Sequence, residues 1–220
     1  AVPVSGKVIG ADEIKMMVEA ALDGWLTTGR FNAMFEERLA QFLGVKYLIT
    51  VNSGSSANLV AFSTLTSKKL GDRAIKKGDE VIVPALTMSA TCFAVLHANA
   101  TPIFADVDPI TWQISADSVA RLITPRTKAI MTVALYGGSP DYDALRSVAA
   151  GIPIIEDNAE AIGTTYKGRV IGSMGDFSSY SFQSSKHLTA GEGGMLCTNN
   201  TDLAEKARLV QTLGYSAVKK

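Results

Sequence analysis

Ser181-Phe182-Gln183-Ser184-Ser185-Lys186-His187-Leu188-Thr189-Ala190-Gly191-Glu192-Gly193-Gly194 sets a lysine among small and polar residues. Two β-rich runs flank it, Phe177–Phe182 and Met195–Thr198. A lysine becomes a nucleophile when its ammonium is desolvated or placed near positive charge, and it can then form a Schiff base with an aldehyde. Gly191-Glu192-Gly193-Gly194 would permit tight backbone turns beside such a centre. The competing reading is a solvent-facing loop lysine, the ordinary place for this residue.

Working outward, five more short runs read as strands: Tyr47–Val51, Glu80–Pro84, Pro102–Ala105, Lys128–Val133 and Pro153–Glu156. Most are apolar throughout, as in strands covered on both faces. Helical spacing runs through Asp12–Gly24, Ala33–Leu43, Ser56–Leu65, Met88–Asn99, Ala116–Leu122, Asp141–Ala150 and Thr201–Leu213. The polar stretch Lys68–Gly78 reads as a surface excursion. Alternation of this kind predicts an α/β domain with a mainly parallel, seven-stranded sheet and helices on both faces. Ligands of such sheets lie beyond the carboxyl ends of the strands.

Two further motifs stand at strand ends. Asn52-Ser53-Gly54-Ser55-Ser56-Ala57 follows the first strand and opens a helix. Small residues and free N–H groups at a helix N-terminus suit a phosphate, although a serine-rich helix cap has the same composition. In Ile154-Ile155-Glu156-Asp157-Asn158-Ala159-Glu160 an apolar strand runs into acidic residues. A carboxylate there can hold a cationic ring nitrogen or simply cap the next turn. A phosphate cradle, a ring-nitrogen carboxylate and an isolated lysine are together the three attachments that pyridoxal 5′-phosphate needs.

Composition narrows the field. The 220 residues are 47% hydrophobic and 19% charged, which argues against disorder. Lys+Arg and Asp+Glu are 21 each, so net charge is zero and the basic footprint of a nucleic-acid binder is missing. No apolar run reaches bilayer length, and Ala1–Gly10 has no signal-peptide pattern, so a cytoplasmic protein is expected. Cys92 and Cys197 form no metal or disulfide pattern, and only His97 and His187 add imidazoles, so no metal is expected. The first strand–helix turn lacks G-x-G-x-x-G, which disfavours a dinucleotide-binding domain.

With these motifs the chain resembles the sugar aminotransferases of the DegT/DnrJ/EryC1/StrS group, which have the aspartate-aminotransferase (type I) fold. The likeness runs from about Gly29 to Gly214: Gly29-Arg30-Phe31 through Phe35-Glu36, Ser53 through Ala57, Glu156-Asp157, and Ser181 through Gly194. It implies that Lys186 is the Schiff-base lysine and that it shuttles a proton between cofactor and substrate carbons. It implies that Asp157 holds the ring N–H, and that Gly54, Ser55, Ser56 and Ser181 surround the phosphate. Glu160 takes the place near the ring hydroxyl where the family has His, Gln or, in perosamine-type enzymes, Glu. The implied reaction moves an amine from glutamate or glutamine to a keto-sugar, nucleotide-linked, with pyridoxamine 5′-phosphate as the intermediate form of the cofactor. A homodimer with shared active sites is implied as well.

The chain departs from the pattern in three places. In Pro84-Ala85-Leu86-Thr87-Met88, Met88 replaces the aromatic residue that the family stacks on the cofactor ring. A thioether can pack on a ring, or Met88 can be a core residue. Leu70 through Glu80 resembles an insertion of the nucleotide-sugar 3-dehydratases, whose two successive histidines are here Lys186-His187. The lysine favours transamination over that alternative, and His187 is open to an active-site or a packing role. Finally, the family's smaller C-terminal domain is not within residues 1–220, so these residues are expected to form the large domain with an N-terminal helical segment. A catalytically silent relative of the fold is the remaining reading.

Overall fold

The computed structural model describes residues 8–215. Its elements are α1 (Ala11–Leu22), α2 (Arg30–Leu43), β1 (Tyr47–Val51), α3 (Gly54–Leu65), β2 (Glu80–Pro84), α4 (Ser89–His97), β3 (Thr101–Ala105), α5 (Ala116–Leu122) and β4 (Thr127–Val133). They continue with α6 (Tyr142–Ala149), β5 (Ile154–Asp157), β6 (Thr165–Tyr166), β7 (Arg169–Val170), β8 (Phe177–Ser181), β9 (Gly194–Thr198) and α7 (Thr201–Gln211). All seven expected strands form, with ends displaced by a residue or so. The polar excursion at Lys68–Arg73 winds into 3₁₀ turns that are broken at Gly71. The small hairpin of β6 and β7 has no counterpart in the expected elements, because two-residue strands leave no periodicity to read.

The main sheet has the order β1-β9-β8-β5-β4-β2-β3. β3, β2, β4, β5 and β8 are parallel, and β9 runs against both β8 and β1. Alternating side chains divide the core between the two faces. Val81, Val83, Ala129, Met131, Ile155 and Leu196 pack with Phe62, Val95 and Leu203 under α3, α4 and α7. Ile82, Ile130 and Ile154 pack with Val119 and Leu145 under α5 and α6. Leu48, Tyr180 and Met195 meet Leu43 and the flank of α2. Strand apolarity without alternation is thus explained by cover on both sides.

α2 is pinned by Glu36. Its carboxylate accepts from Arg208 of α7 at 2.8 and 3.1 Å, from the Thr50 backbone N–H and hydroxyl at 2.9 Å each, and from Asn32 at 3.2 Å. Burial works to raise its pKa, but the Arg208 guanidinium and Thr50 outweigh it and hold the carboxyl below 4.5, its ordinary value. A lowered native value contributes stability that is present above the unfolded value and lost as pH falls through the native one. Glu36→Gln is therefore expected to cost about 1–3 kcal/mol at neutral pH, the worth of hydrogen bonds to a charged group. The melting curves of variant and parent should converge on acidification below the ordinary carboxyl range.

Candidate active site

The expected residues converge at the carboxyl ends of β1, β2, β4, β5 and β8, where an α/β sheet places its ligands. A cleft of about 440 Å³ is lined there by Gly54, Ser55, Met88, Asp157, Glu160, Ser181 and Lys186. The eighth candidate, Ser56, is turned elsewhere. Its hydroxyl accepts from Ser53 Oγ at 3.0 Å, and it lines a neighbouring hollow with Asn32, Thr50 and Gln211.

The turn before α3 is built for close approach. Ser53 caps the helix, its Oγ accepting the Ser56 N–H at 3.1 Å. The Gly54 and Ser55 N–H groups donate to nothing among the described residues and stand at the positive end of the helix. A Cβ on Gly54 would lie 2.9 Å from Ser181 Cβ, and one on Gly194 would lie 2.3 Å from the Ser53 carbonyl. The last glycine of the Gly191–Gly194 run thus lets β9 pass against the turn. Gly191 supplies the turn itself, with φ +80°.

Lys186 stands on the loop between β8 and β9. The loop base is closed by Phe182, whose N–H donates to the Gly193 carbonyl at 2.8 Å and whose carbonyl accepts from the Ala190 N–H at 2.9 Å. Phe182 is buried edge-on against Phe35 at 5.2 Å. Lys186 Nζ, on a side chain 20% exposed, donates to Glu160 Oε1 at 3.1 Å. Glu160 Oε2 accepts the Tyr136 N–H at 3.1 Å. Burial works to raise the Glu160 pKa, but Tyr136 and Lys186 together hold it below its ordinary value. His187 is exposed on the same loop.

The acidic pair splits across the sheet, as adjacent strand residues must. Glu156 faces α6, fully buried, and accepts from Tyr142, Asn158, Gly172 and Gly175. Asp157 faces the cleft, 7% exposed. Its Oδ2 accepts from Asn58 at 3.0 Å and Thr91 at 3.1 Å, and its Oδ1 from the Ala159 N–H at 3.2 Å. Burial pushes its carboxyl above the ordinary value, against the pull of these donors and of Lys186. Met88, 72% exposed at the start of α4, stands at the cleft rather than in the core.

Sequence reasoning missed Asn58, Thr87, Thr91, Gln183, Ser185 and Glu192, which also line the cleft. Asn58 could have been found: it is the lone amide in the otherwise mostly apolar run Ala57–Phe62.

The cleft fits the group inferred from the three motifs. Unpaired helix N–H groups and two close-packed glycines suit a phosphate. A buried carboxylate with an accepting position left on Oδ1 suits a cationic ring N–H. A lysine amine across from it suits an aldehyde. Fold and cleft together define an α/β protein whose cleft suits a phosphorylated aldehyde cofactor. The chain belongs to the DegT/DnrJ/EryC1/StrS aminotransferase family, whose profile matches residues 7–220.

The chain is 46% identical over 204 residues to the lipopolysaccharide biosynthesis protein RfbH of Salmonella typhimurium, covering 92% of this chain and 47% of that protein. It is 41% identical over 216 residues to GDP-perosamine synthase of Caulobacter vibrioides, covering 97% and 56%. A solved GDP-4-keto-6-deoxymannose-3-dehydratase, holding a trapped PLP-glutamate geminal diamine, superposes with a TM-score of 0.91 at 30% identity, over 100% of this chain and 57% of that one. The chain thus spans about half the length of the curated relatives it matches. No helix among the described residues is long and apolar enough to cross a membrane.

Proposed function

We propose that these residues form the cofactor-binding large domain of a pyridoxal-5′-phosphate-dependent aminotransferase. Its substrate is a keto-sugar, nucleotide-linked, and its amine donor is glutamate or glutamine. The product serves surface-polysaccharide or related sugar synthesis. The observation that carries this reading is Lys186 Nζ in the cleft that Asp157 lines, paired with Glu160. The names of the two curated relatives support the sugar chemistry.

The Gly54 and Ser55 N–H groups with Ser55 and Ser181 hydroxyls would hold the phosphate, and Met88 would pack on the ring. Asp157 would hold the ring N–H, and Glu160 would take the place near the ring hydroxyl. Bound here, pyridoxal 5′-phosphate supplies an electron sink that lets a proton leave the carbon carrying the amine. Lys186 Nζ would hold the cofactor's aldehyde and, as a free amine, would carry the proton that the substrate carbon gives up. Glu160 accepts from that same Nζ and keeps it aimed into the cleft.

A homodimer is part of this reading, supported by apolar side chains left exposed on α4, Phe93 and Leu96. So is a cytoplasmic location, supported by the charged nucleotide-linked substrate, which does not cross membranes unaided. The Leu70–Glu80 insertion and the dehydratase neighbour favour a second reading, 3-deoxygenation of the same class of sugar. Product analysis with a nucleotide-linked 4-keto-sugar and glutamate decides between them. An amino-sugar with 2-oxoglutarate is the expected result; a 3-deoxy sugar would establish the second reading, and no consumption of sugar would overturn both.

A further inference from the structure

Asp157 is clamped more tightly than its position at a strand end requires. Each carboxylate oxygen offers two accepting positions. On Oδ2 both are filled, by Asn58 Nδ2 of α3 and by Thr91 Oγ1 of α4. On Oδ1 the Ala159 N–H fills one, leaving the other open on a residue that lines the cleft. Thr91 commits its proton to Asp157, so its 2.9 Å contact with Thr87 Oγ1 is one in which Thr87 donates. Asn58 is 2% exposed, and its Oδ1 has no partner among the described residues. An amide buried at that cost is retained for the one bond it makes, to Asp157.

The two donors come from different helices of one core, so the carboxylate cannot turn about its Cβ–Cγ bond without breaking both bonds. We propose that Asn58 and Thr91 are positioning residues that lock Asp157 with the open side of Oδ1 toward the ring nitrogen, making the cleft selective for a cofactor ring that carries N–H. This rests on the pyridoxal 5′-phosphate reading above. The clamp also opposes protonation of Asp157, whose burial favours the neutral acid.

The test compares dissociation constants of pyridoxal 5′-phosphate and its 1-deaza analogue, in which CH replaces the ring nitrogen, by fluorescence titration of the full chain. The parent should prefer pyridoxal 5′-phosphate. Thr91→Val and Asn58→Leu should each weaken its binding on the order of tenfold, about 1.4 kcal/mol, and leave the analogue's binding unchanged. Thr91→Ser, which keeps the hydroxyl, should restore the preference. Equal weakening for both compounds would overturn the proposal, because a merely structural role acts on both alike. So would a parent that binds both without preference. A parent that binds neither would overturn the cofactor reading itself. The two variants stand on separate helices, so each reports if the other fails to fold.

Discussion

Replacing Lys186 by alanine is expected to lower kcat on the order of 10⁴-fold, the upper range for loss of a positioned acid–base group, here combined with loss of a covalent attachment. Lys186 Nζ is the amine that donates to Glu160 across the cleft, and Glu160 keeps its second oxygen on the Tyr136 N–H. The substitution removes the amine proposed as the nucleophile without disturbing the loop base, which is held by backbone bonds of Phe182. The melting temperature should therefore change little. Borohydride reduction followed by peptide mass analysis supplies the second readout. In the parent the cofactor mass should appear on the peptide containing Lys186; in the variant it should appear on no peptide. Cofactor fixed elsewhere in the parent, or full activity in the variant, would contradict the assignment of Lys186.

Glu156→Ala is expected to cost about 3–5 kcal/mol, at the severe end of single substitutions. The carboxylate gathers the Tyr142 hydroxyl at 3.0 Å, Asn158 at 3.2 Å, and the N–H groups of Gly172 and Gly175 at 2.9 and 2.6 Å. Alanine strands three buried donors and the half-buried Gly175 N–H, and leaves a void. Denaturant unfolding measures the loss. Asp157→Asn, one residue along the chain, can keep an accepting oxygen toward Asn58 and Thr91, so it should cost less stability than Glu156→Ala and act chiefly on cofactor binding. The contrast follows from strand geometry alone, which sends neighbours to opposite faces.

Much of the site was legible because its chemistry lies in short contiguous motifs. The Lys186 loop, the Ser53–Ala57 turn and the Glu156-Asp157 strand end each bring backbone and side chain together within a few residues. Their distribution over an alternating α/β chain was enough to place all three at one edge of the sheet. Asn58 and Thr91 were not legible as partners of Asp157, because they lie 99 and 66 residues from it. Ser56 illustrates the converse. Its motif put it beside Ser55, but a helical step of about 100° turns it to the far side of α3.

The sequence by itself determined the strands, their mainly parallel habit and the family, since periodicity and local motifs encode these directly. Only the tertiary structure decided what Glu156 does on the opposite face and which oxygen of Asp157 is left open. It also decided that Met88 stands at the cleft while Glu36 holds α2 to α7. Each of these depends on which side of a strand or helix meets which neighbour, and that is fixed by packing across the sheet.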